Sequence, residues 1–420
     1  MLDSIHVRGG NPLFGETKIQ GSKNAVLPIM AAALLIEGVS VIENCPKITD
    51  VDHMQKLLTE IGCILHWRNR SLYINASNVS DSKMNSESVG KMRSSIMLLG
   101  AMLGRFGKAV MSYPGGCVIG TRPIDIHLDA LKQMGVNIEE KNDYVVATTE
   151  ELTGSVIELP FPSVGASENV ILAAVGAKGT TVLKNAAPEP EIIALCDFLK
   201  SAGAEITIEE ERGKVAIIIR GGAGLKPVSF KIPTDRIVAG TYMLGVLGIG
   251  GHVFLEDAPT SHMRAVIELA KEMNADVNIS DKGIAILADC ITKPIPYLET
   301  AIYPLFPTDL QSQLLSILTI ANGESVICEK IFEDRLKIVP QLKKMGADIT
   351  VNGNTATIRG VNHLSGSKVK AKELRGGAAL VIAGIIAEGN TIIKNRHYIE
   401  RGYEDIARDF RNLGVIINNV

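Results

Sequence analysis

The stretch LDALKQMGVNI, residues 128–138, decides the fold of this chain because variants of it recur at regular intervals. Each copy predicts an amphipathic helix, a C-cap turn and the start of a strand. The turn positions 62, 135, 203, 274, 346 and 414 lie about 70 residues apart, so six units fill the chain. The other copies are QKLLTEIGCIL (55–65), CDFLKSAGAEI (196–206), IELAKEMNADV (267–277), VPQLKKMGADI (339–349) and ARDFRNLGVII (407–417).

A second pattern precedes the first in every unit, as in LAAVGAKGTTVLKNAAP (172–188) and LGVLGIGGHVFLEDAP (244–259). It predicts a nearly all-apolar helix that ends at glycine and enters a strand. A helix that is apolar on every side must be surrounded by protein. Each unit is therefore an α+β element of two helices and several strands, and we expect two globules of three units with the sheets outside.

The composition narrows the class of protein. A chain of 420 residues exceeds the usual size of a single core, and a net charge of -3 gives no general attraction for nucleic acid or an acidic membrane. The six cysteines lack metal-type spacing, which is typical of reduced cytosolic thiols. The apolar run 25–36 is too short to span a bilayer, and the N-terminus lacks the apolar core of a signal peptide. We expect a soluble cytoplasmic protein without a metal, nucleic-acid or membrane partner.

Cations recur where the apolar helices begin: Lys23, Arg93, Arg236 and Arg375 stand at four of the six predicted starts. A helix N-terminus already carries partial positive charge, so an added cation favours phosphate or carboxylate binding there. The alternative for any one of them is a solvated side chain at a helix end. Further arginines follow predicted strands and suit bidentate anion binding, although each could instead pair with a neighbouring carboxylate such as Asp125, Asp334 or Glu400. These loop arginines are Arg122, Arg335 and Arg401.

Two other residues have both a structural and a catalytic interpretation. Asp309 lies at a helix start with no adjacent base, where PTDLQ predicts capping by Thr308 with Gln311 as its partner, or alternatively a general base. Cys117 follows Gly115 and Gly116, and it is either a buried apolar residue or a reactive thiol on a mobile loop. The other five cysteines lie in apolar patterns, which favours a structural role.

The motifs GSKNAxLP, PGGCxIGxRPxDxH, SVGAxEN, FPTDxQ, FExR and IxRGYE span nearly the whole chain. Together they resemble the enolpyruvyl transferase (EPSP synthase) family, specifically the branch that acts on UDP-N-acetylglucosamine. The resemblance implies an α/β fold of two inside-out α/β barrels, each built from three βαβαββ units. One domain would combine residues 1–21 with 233–420, the other would be 22–232 and carry the Cys117 loop, and the active site would lie in the cleft between them.

The implied reaction moves the enolpyruvyl group of phosphoenolpyruvate to the 3'-hydroxyl of UDP-N-acetylglucosamine and releases phosphate through a tetrahedral ketal. This is the first committed step of peptidoglycan synthesis, and hence of cell-wall biogenesis, cell shape and cell division. It requires protonation of C3, a stabilised cationic carbon and a deprotonated hydroxyl. No cofactor is implied, and the oligomeric state stays open.

The resemblance also implies roles for individual residues. Cys117 would be the general acid, able to form a covalent adduct with phosphoenolpyruvate on a loop that closes as a lid, and Asp309 would accept the hydroxyl proton. Lys23, Arg122 and Arg401 would hold the anionic groups of phosphoenolpyruvate. Further substrate contacts would come from Asn24, Arg93, Arg335 and Arg375, from the uridine loop Pro123, Ile124, Asp125, Ile126 and His127, and from Ser163, Val164, Gly165 and Ile331.

This chain departs from the family pattern at a few positions. The Asp-Leu-Arg motif reads Glu373, Leu374 and Arg375, glycines follow at 376 and 377, and Phe161 and Pro162 replace a Lys-Val pair of some members. There are three alternatives. A shikimate-pathway enolpyruvyl transferase would lack the loop cysteine, and an RNA 3'-phosphate cyclase would need a nucleotidylated histidine and a basic RNA surface, neither of which is apparent. The third is a non-catalytic or regulatory paralogue that binds sugar nucleotide or phosphoenolpyruvate. The combination of Lys23, Cys117, Asp309 and Arg401 argues against the non-catalytic paralogue.

Overall fold

The computed structural model describes residues 3–79, 89–90, 92–113, 115, 124–141, 144–289 and 293–420. These residues form two compact units. The terminal unit contains the residues up to Gln20 and from Thr234 onward, and the central unit contains those between Gly21 and Pro233. Within the described ranges, none of the helices has the length and apolar character needed to cross a membrane.

The chain begins in the terminal unit with β1 (Ser4–Arg8) and β2 (Leu13–Lys18). The central unit then follows with alternating helices and strands. Its helices are α1 (Lys23–Ala32), α2 (Thr49–Glu60), α3 (Met97–Phe106), α4 (Asp125–Lys132), α5 (Val164–Val175) and α6 (Pro190–Ser201). Its strands are β3 (Val39–Glu43), β4 (Ile64–Arg68), β5 (Ser71–Asn75), β6 (Lys108–Ser112), β7 (Asn137–Lys141), β8 (Tyr144–Thr148), β9 (Val156–Glu158), β10 (Thr180–Ala186), β11 (Glu205–Glu211), β12 (Lys214–Arg220) and β13 (Ser229–Lys231).

The rest of the terminal unit repeats the same alternation. Its helices are α7 (Arg236–Ile249), α8 (Arg264–Glu272), α9 (Gln311–Leu318), α10 (Val339–Lys344), α11 (Leu374–Ile386) and α12 (Ile406–Asn412). Its strands are β14 (Gly251–Glu256), β15 (Asp276–Ser280), β16 (Gly283–Ala288), β17 (Leu298–Glu299), β18 (Glu324–Cys328), β19 (Asp348–Asn352), β20 (Thr355–Arg359), β21 (Lys368–Lys370), β22 (Asn390–Lys394) and β23 (Ile416–Asn419).

The four-stranded sheets share one strand order, and the three described strands of the remaining sheet keep its antiparallel part. The central unit has β13-β3-β5-β4, β6-β8-β7 and β9-β10-β12-β11, and the terminal unit has β2-β14-β16-β15, β17-β18-β20-β19 and β21-β22-β1-β23. In each four-stranded sheet the first pair is parallel and the others are antiparallel. The run β9-α5-β10-α6-β11-β12 therefore traces one βαβαββ unit, as expected. Strand β1 completes the last sheet beside β23, which joins the two ends of the chain.

The six predicted turns all take the same conformation. Glycines 62, 135, 203, 346 and 414 and Asn274 each have φ between 66° and 108°. That left-handed region is open to glycine and tolerated by asparagine. The repeat is therefore set by a backbone requirement at one position in each unit.

The apolar helices form the core of each unit. In the terminal unit α7, α9 and α11 contact one another, and in the central unit α3 packs on both α1 and α5. Almost all residues of α5 and α11 are buried. Helices α3 and α5 approach closely because Gly100 lies against the backbone of Asn169, and its N–H donates to Asn169 Oδ1 at 2.8 Å.

Replacing Gly100 by alanine tests this close approach. A Cβ at position 100 would lie 2.9 Å from both Cα and Oδ1 of Asn169. Overpacking of this kind typically costs 1–3 kcal/mol, so we expect Gly100→Ala to lower the free energy of unfolding by about 2 kcal/mol in a urea titration. Gly224→Ala is the control, because a Cβ there would meet no atom within 4 Å. Equal stability of the two variants would contradict the packing argument.

Candidate active site

The cations predicted at helix starts lie where the sequence placed them. Lys23 and Arg236 are the first residues of α1 and α7, and Arg375 is the second residue of α11. Arg93 opens the short 3-10 helix Arg93–Ile96 ahead of α3. Each of the three α-helices is capped by the side chain that precedes it, namely Ser22, Asp235 and Glu373. The backbone caps are thus supplied separately from the cations.

Asp309 lies between two buried arginines of the terminal unit. Its Oδ1 accepts a hydrogen bond from Arg335 Nη2, and its Oδ2 accepts one from Arg375 Nη2 at 2.8 Å. The side chains of Arg335 and Arg375 are only 4% and 3% exposed, whereas that of Asp309 is 23% exposed. Burial by itself would lower the pKa of Arg375, but the charge of Asp309 keeps that pKa above its ordinary value. The Asp309 carboxylate therefore fixes the positions of both guanidinium groups.

The capping interpretation of Asp309 is wrong. Helix α9 begins at Gln311 without a side-chain cap, after the 3-10 helix Thr308–Leu310. The Thr308 hydroxyl donates to Glu329 Oε2 at 2.9 Å instead of capping the helix. Both partners carry charge in a carboxylate–guanidinium hydrogen bond, and Asp309 makes one such bond with each of its two oxygens. The sequence also showed no base beside Asp309, because both partners are distant along the chain.

Glu373 extends the same cluster. Its Oε2 accepts the backbone N–H of Arg375 at 2.8 Å and lies 3.5 Å from Arg335 Nη1, while its Oε1 accepts the N–H of Gly376. Arg335 therefore pairs with Asp309 and Glu373, and not with its sequence neighbour Asp334, which binds Lys337 at 2.8 Å. Asp309, Arg335, Glu373 and Arg375 are called the 309 cluster below.

A buried glutamate that the sequence analysis missed holds the loop beside this cluster. Glu329 is 2% exposed, and its Oε1 accepts the N–H groups of Ile331 and Phe332 at 2.8 and 3.0 Å. The same carboxylate binds Thr300 and Thr308, so it links three segments around Asp309. Its sequence context, CEK directly after a strand, looks like an ordinary solvated residue. Only its contacts reveal its positioning role.

Arg401 ends the 3-10 helix Arg396–Arg401, which packs on α11. Its predicted alternative partner, Glu400, instead binds Arg396 at 2.8 Å. Close to this turn the Tyr403 ring lies 5.9 Å from the Arg375 guanidinium. The 3-10 helix that ends at Arg401 thus packs on the helix that carries Arg375.

In the central unit Lys23 is paired and mostly buried. Its Nζ lies 2.8 Å from Asp50 Oδ2, and the two side chains are 10% and 1% exposed. Asp50 was not singled out from the sequence, because an acidic residue in the first turn of α2 looks like ordinary helix stabilisation. Asn24 follows Lys23 on α1 and is half-buried. The buried ion pair fixes where the lysine ammonium lies.

His127 and the start of α5 form a second group in the central unit. Asn169 Oδ1 accepts from Gly100, so its Nδ2 donates to His127 Nδ1 at 2.9 Å. That bond assigns the ring proton to Nε2 in the neutral tautomer. A Cβ at Gly165 would lie 2.8 Å from His127 Cε1, so glycine is needed there. Ser163 caps α5 by accepting the N–H of Ala166 at 3.3 Å, and Val164 is the first residue of that helix.

The remaining predicted site residues divide into two sets. Ile124 is buried, Asp125 is exposed at the first position of α4, and Ile126 is half-buried beside it. Cys117, Arg122 and Pro123 lie outside the described residues, and so does Cys290.

The other cysteines behave as core residues. Cys45, Cys63, Cys196 and Cys328 are buried. Burial raises the pKa of the Cys63 and Cys196 thiols to about 12, which makes both poor nucleophiles. The structural interpretation of these four is confirmed.

Comparison with known proteins places the chain among its relatives. The family described as EPSP synthase (3-phosphoshikimate 1-carboxyvinyltransferase) matches residues 7–410. The UDP-N-acetylglucosamine 1-carboxyvinyltransferase 2 of Caldanaerobacter subterraneus subsp. tengcongensis is 44% identical over 416 residues, which are 99% of each chain. The UDP-N-acetylglucosamine 1-carboxyvinyltransferase of Desulfosudis oleivorans is 40% identical over 419 residues and all of both chains.

A solved structure shares the fold. The enolpyruvyl transferase NikO from Streptomyces tendae superposes with a TM-score of 0.86 over 100% of this chain and 99% of its own, at 24% identity. The fold class predicted from the repeats and the resemblance is thereby confirmed. With a family match over nearly its full length and relatives of at least 40% identity, the chain belongs to the EPSP synthase family of enolpyruvyl transferases.

Proposed function

We propose that the protein is a UDP-N-acetylglucosamine 1-carboxyvinyltransferase, which transfers the enolpyruvyl group of phosphoenolpyruvate to the sugar 3'-hydroxyl and releases phosphate. The observation that carries this proposal is full-length identity of 40–44% to relatives of that name. The shikimate alternative receives less support, since those relatives are named for the sugar nucleotide. The enzyme would act in the cytoplasm, where its product feeds peptidoglycan synthesis.

Asp309 is proposed to accept the proton of the 3'-hydroxyl. A carboxylate has about four acceptor sites, so the two arginines leave lone pairs available to an alcohol. The partial exposure of Asp309 supports the proposal, because a substrate could approach it while both arginines stay buried. Arg335 and Arg375 would keep its two oxygens oriented during the proton transfer.

The remaining roles concern phosphoenolpyruvate. Lys23, Arg122 and Arg401 would bind its phosphate and carboxylate, and Cys117 would protonate C3 as general acid. The contact between Lys23 and Asp50 supports a fixed position for the ammonium group. The other predicted binding residues would hold the sugar nucleotide, with His127 as a neutral donor through Nε2.

Phosphate release is the direct test of this function. We expect purified protein to release phosphate from phosphoenolpyruvate when UDP-N-acetylglucosamine is the acceptor, and not with shikimate 3-phosphate. Release only with shikimate 3-phosphate would favour that alternative. Binding of the sugar nucleotide without any release would favour the non-catalytic paralogue.

Cys117→Ala should abolish turnover and leave UDP-N-acetylglucosamine binding nearly intact, because a proton donor is lost and the sugar contacts remain. Cys117→Asp should retain activity, since a carboxylic acid can also donate a proton. Steady-state rates together with calorimetric binding check both variants. Full activity of Cys117→Ala would remove the cysteine from the mechanism.

Asp309→Asn should lower kcat by on the order of 100-fold or more, because the amide keeps an acceptor for one arginine but cannot take a proton. UDP-N-acetylglucosamine binding should change little. Both kcat and the melting temperature of Asp309→Asn are measured on the same preparation and compared with the wild-type values. A variant that loses thermal stability but keeps its kcat would assign Asp309 a purely structural role.

A further inference from the structure

Helix α11 begins with two adjacent glycines, Gly376 and Gly377, in its first turn. Neither has a positive φ, so the backbone conformation does not require glycine. Alanine would normally stabilise a helix at such positions. The atoms around positions 376 and 377 must therefore explain why glycine and not alanine is present there.

The two reasons differ. A Cβ at position 376 would lie 2.5 Å from Glu373 Oε1, the oxygen that accepts the N–H of Gly376. A Cβ at position 377 would instead lie 2.6 Å from Ile399 Cγ1, in the 3-10 helix that ends at Arg401. Gly376 thus makes room for a carboxylate, and Gly377 makes room for a neighbouring segment.

Helix α7 of the same unit shows that a shorter capping side chain, aspartate, leaves room for a larger residue three positions later. Helix α7 is capped by Asp235, whose Oδ1 accepts the N–H of Ile237 at 2.8 Å and of Val238 at 3.1 Å. Glu373 likewise accepts the N–H groups two and three residues ahead. The third residue after the aspartate is a β-branched valine, whereas the third after the glutamate is glycine. An aspartate cap therefore leaves space for a side chain where the glutamate cap leaves none.

The longer acid also has a second contact. While its two oxygens hold the helix N-terminus, Glu373 Oε2 lies 3.5 Å from Arg335 Nη1. The same guanidinium binds Asp309 through Nη2. Since Arg335 is 4% exposed, a shift of the Glu373 carboxylate would be felt by the guanidinium and by Asp309.

We propose that Glu373 and Gly376 are a matched pair of positioning residues, in which the missing side chain at 376 lets the longer carboxylate cap α11 and orient Arg335 toward Asp309. The pair accounts for two of the family departures together: the longer acid and the first glycine. This inference rests on the proposed function only through its kinetic readout.

A double-mutant cycle tests the pair. Gly376→Ala should lower kcat by on the order of 10–100-fold, because the displaced carboxylate misplaces Arg335 beside Asp309. In the Glu373→Asp background the same substitution should have almost no further effect, since the shorter acid leaves room for the methyl group. Equal losses in both backgrounds, or wild-type kcat in Gly376→Ala, would overturn the proposal.

Gly377→Ala is the matched control, because its methyl group would meet Ile399 and not Glu373. Glu373→Asp should therefore not relieve the effect of Gly377→Ala, and relief of both glycine variants would contradict a specific pair. If the wild-type protein releases no phosphate with UDP-N-acetylglucosamine, the proposed function fails by itself. A crystal structure of Gly376→Ala then tests the proposal. A Glu373 carboxylate that has moved away from Arg335 supports the matched pair, and a carboxylate in its wild-type position overturns it.

Discussion

The aspartate shared by two buried arginines is the interaction on which the terminal unit's candidate site depends. A guanidinium that is almost fully buried is costly unless it is paired, and Asp309 supplies one oxygen to each arginine. Removal of this carboxylate would leave two like charges facing each other. The same residue is the most exposed member of the 309 cluster, so its structural role and its proposed catalytic role coincide.

The repeats explain how distant residues reach this cluster. Asp309 and Arg335 come from one βαβαββ unit, and Glu373 and Arg375 begin the apolar helix of the next. Because α9 and α11 pack against each other in the core, the first turn of α11 lies at a fixed separation from Asp309. The packing of apolar helices therefore sets the geometry of the polar residues at their ends.

The sequence predicted what is local or periodic and missed what is neither. The period of five glycines predicts the turn at Asn274, and the apolar run that begins at Leu374 predicts that Arg375 lies at a helix start. The pairing of Arg375 with Asp309 spans 66 positions, and the contacts of Glu329 reach back to Thr300, so neither leaves a local pattern. Thr308 was assigned to capping because its motif fits, but a buried carboxylate binds its hydroxyl.

The most direct test of the central claim is the coupling energy between Asp309 and Arg375, measured by unfolding Asp309→Asn, Arg375→Met and the double variant in urea. Breaking a buried pair costs about 3–5 kcal/mol because it strands the partner, so Asp309→Asn should be strongly destabilised. Arg375→Met should cost less, because Asp309 keeps its bond to Arg335. The double variant should be no less stable than Asp309→Asn alone, so the coupling is at least the cost of Arg375→Met, about 1.5 kcal/mol or more. Additive losses would mean that the carboxylate does not hold the arginine.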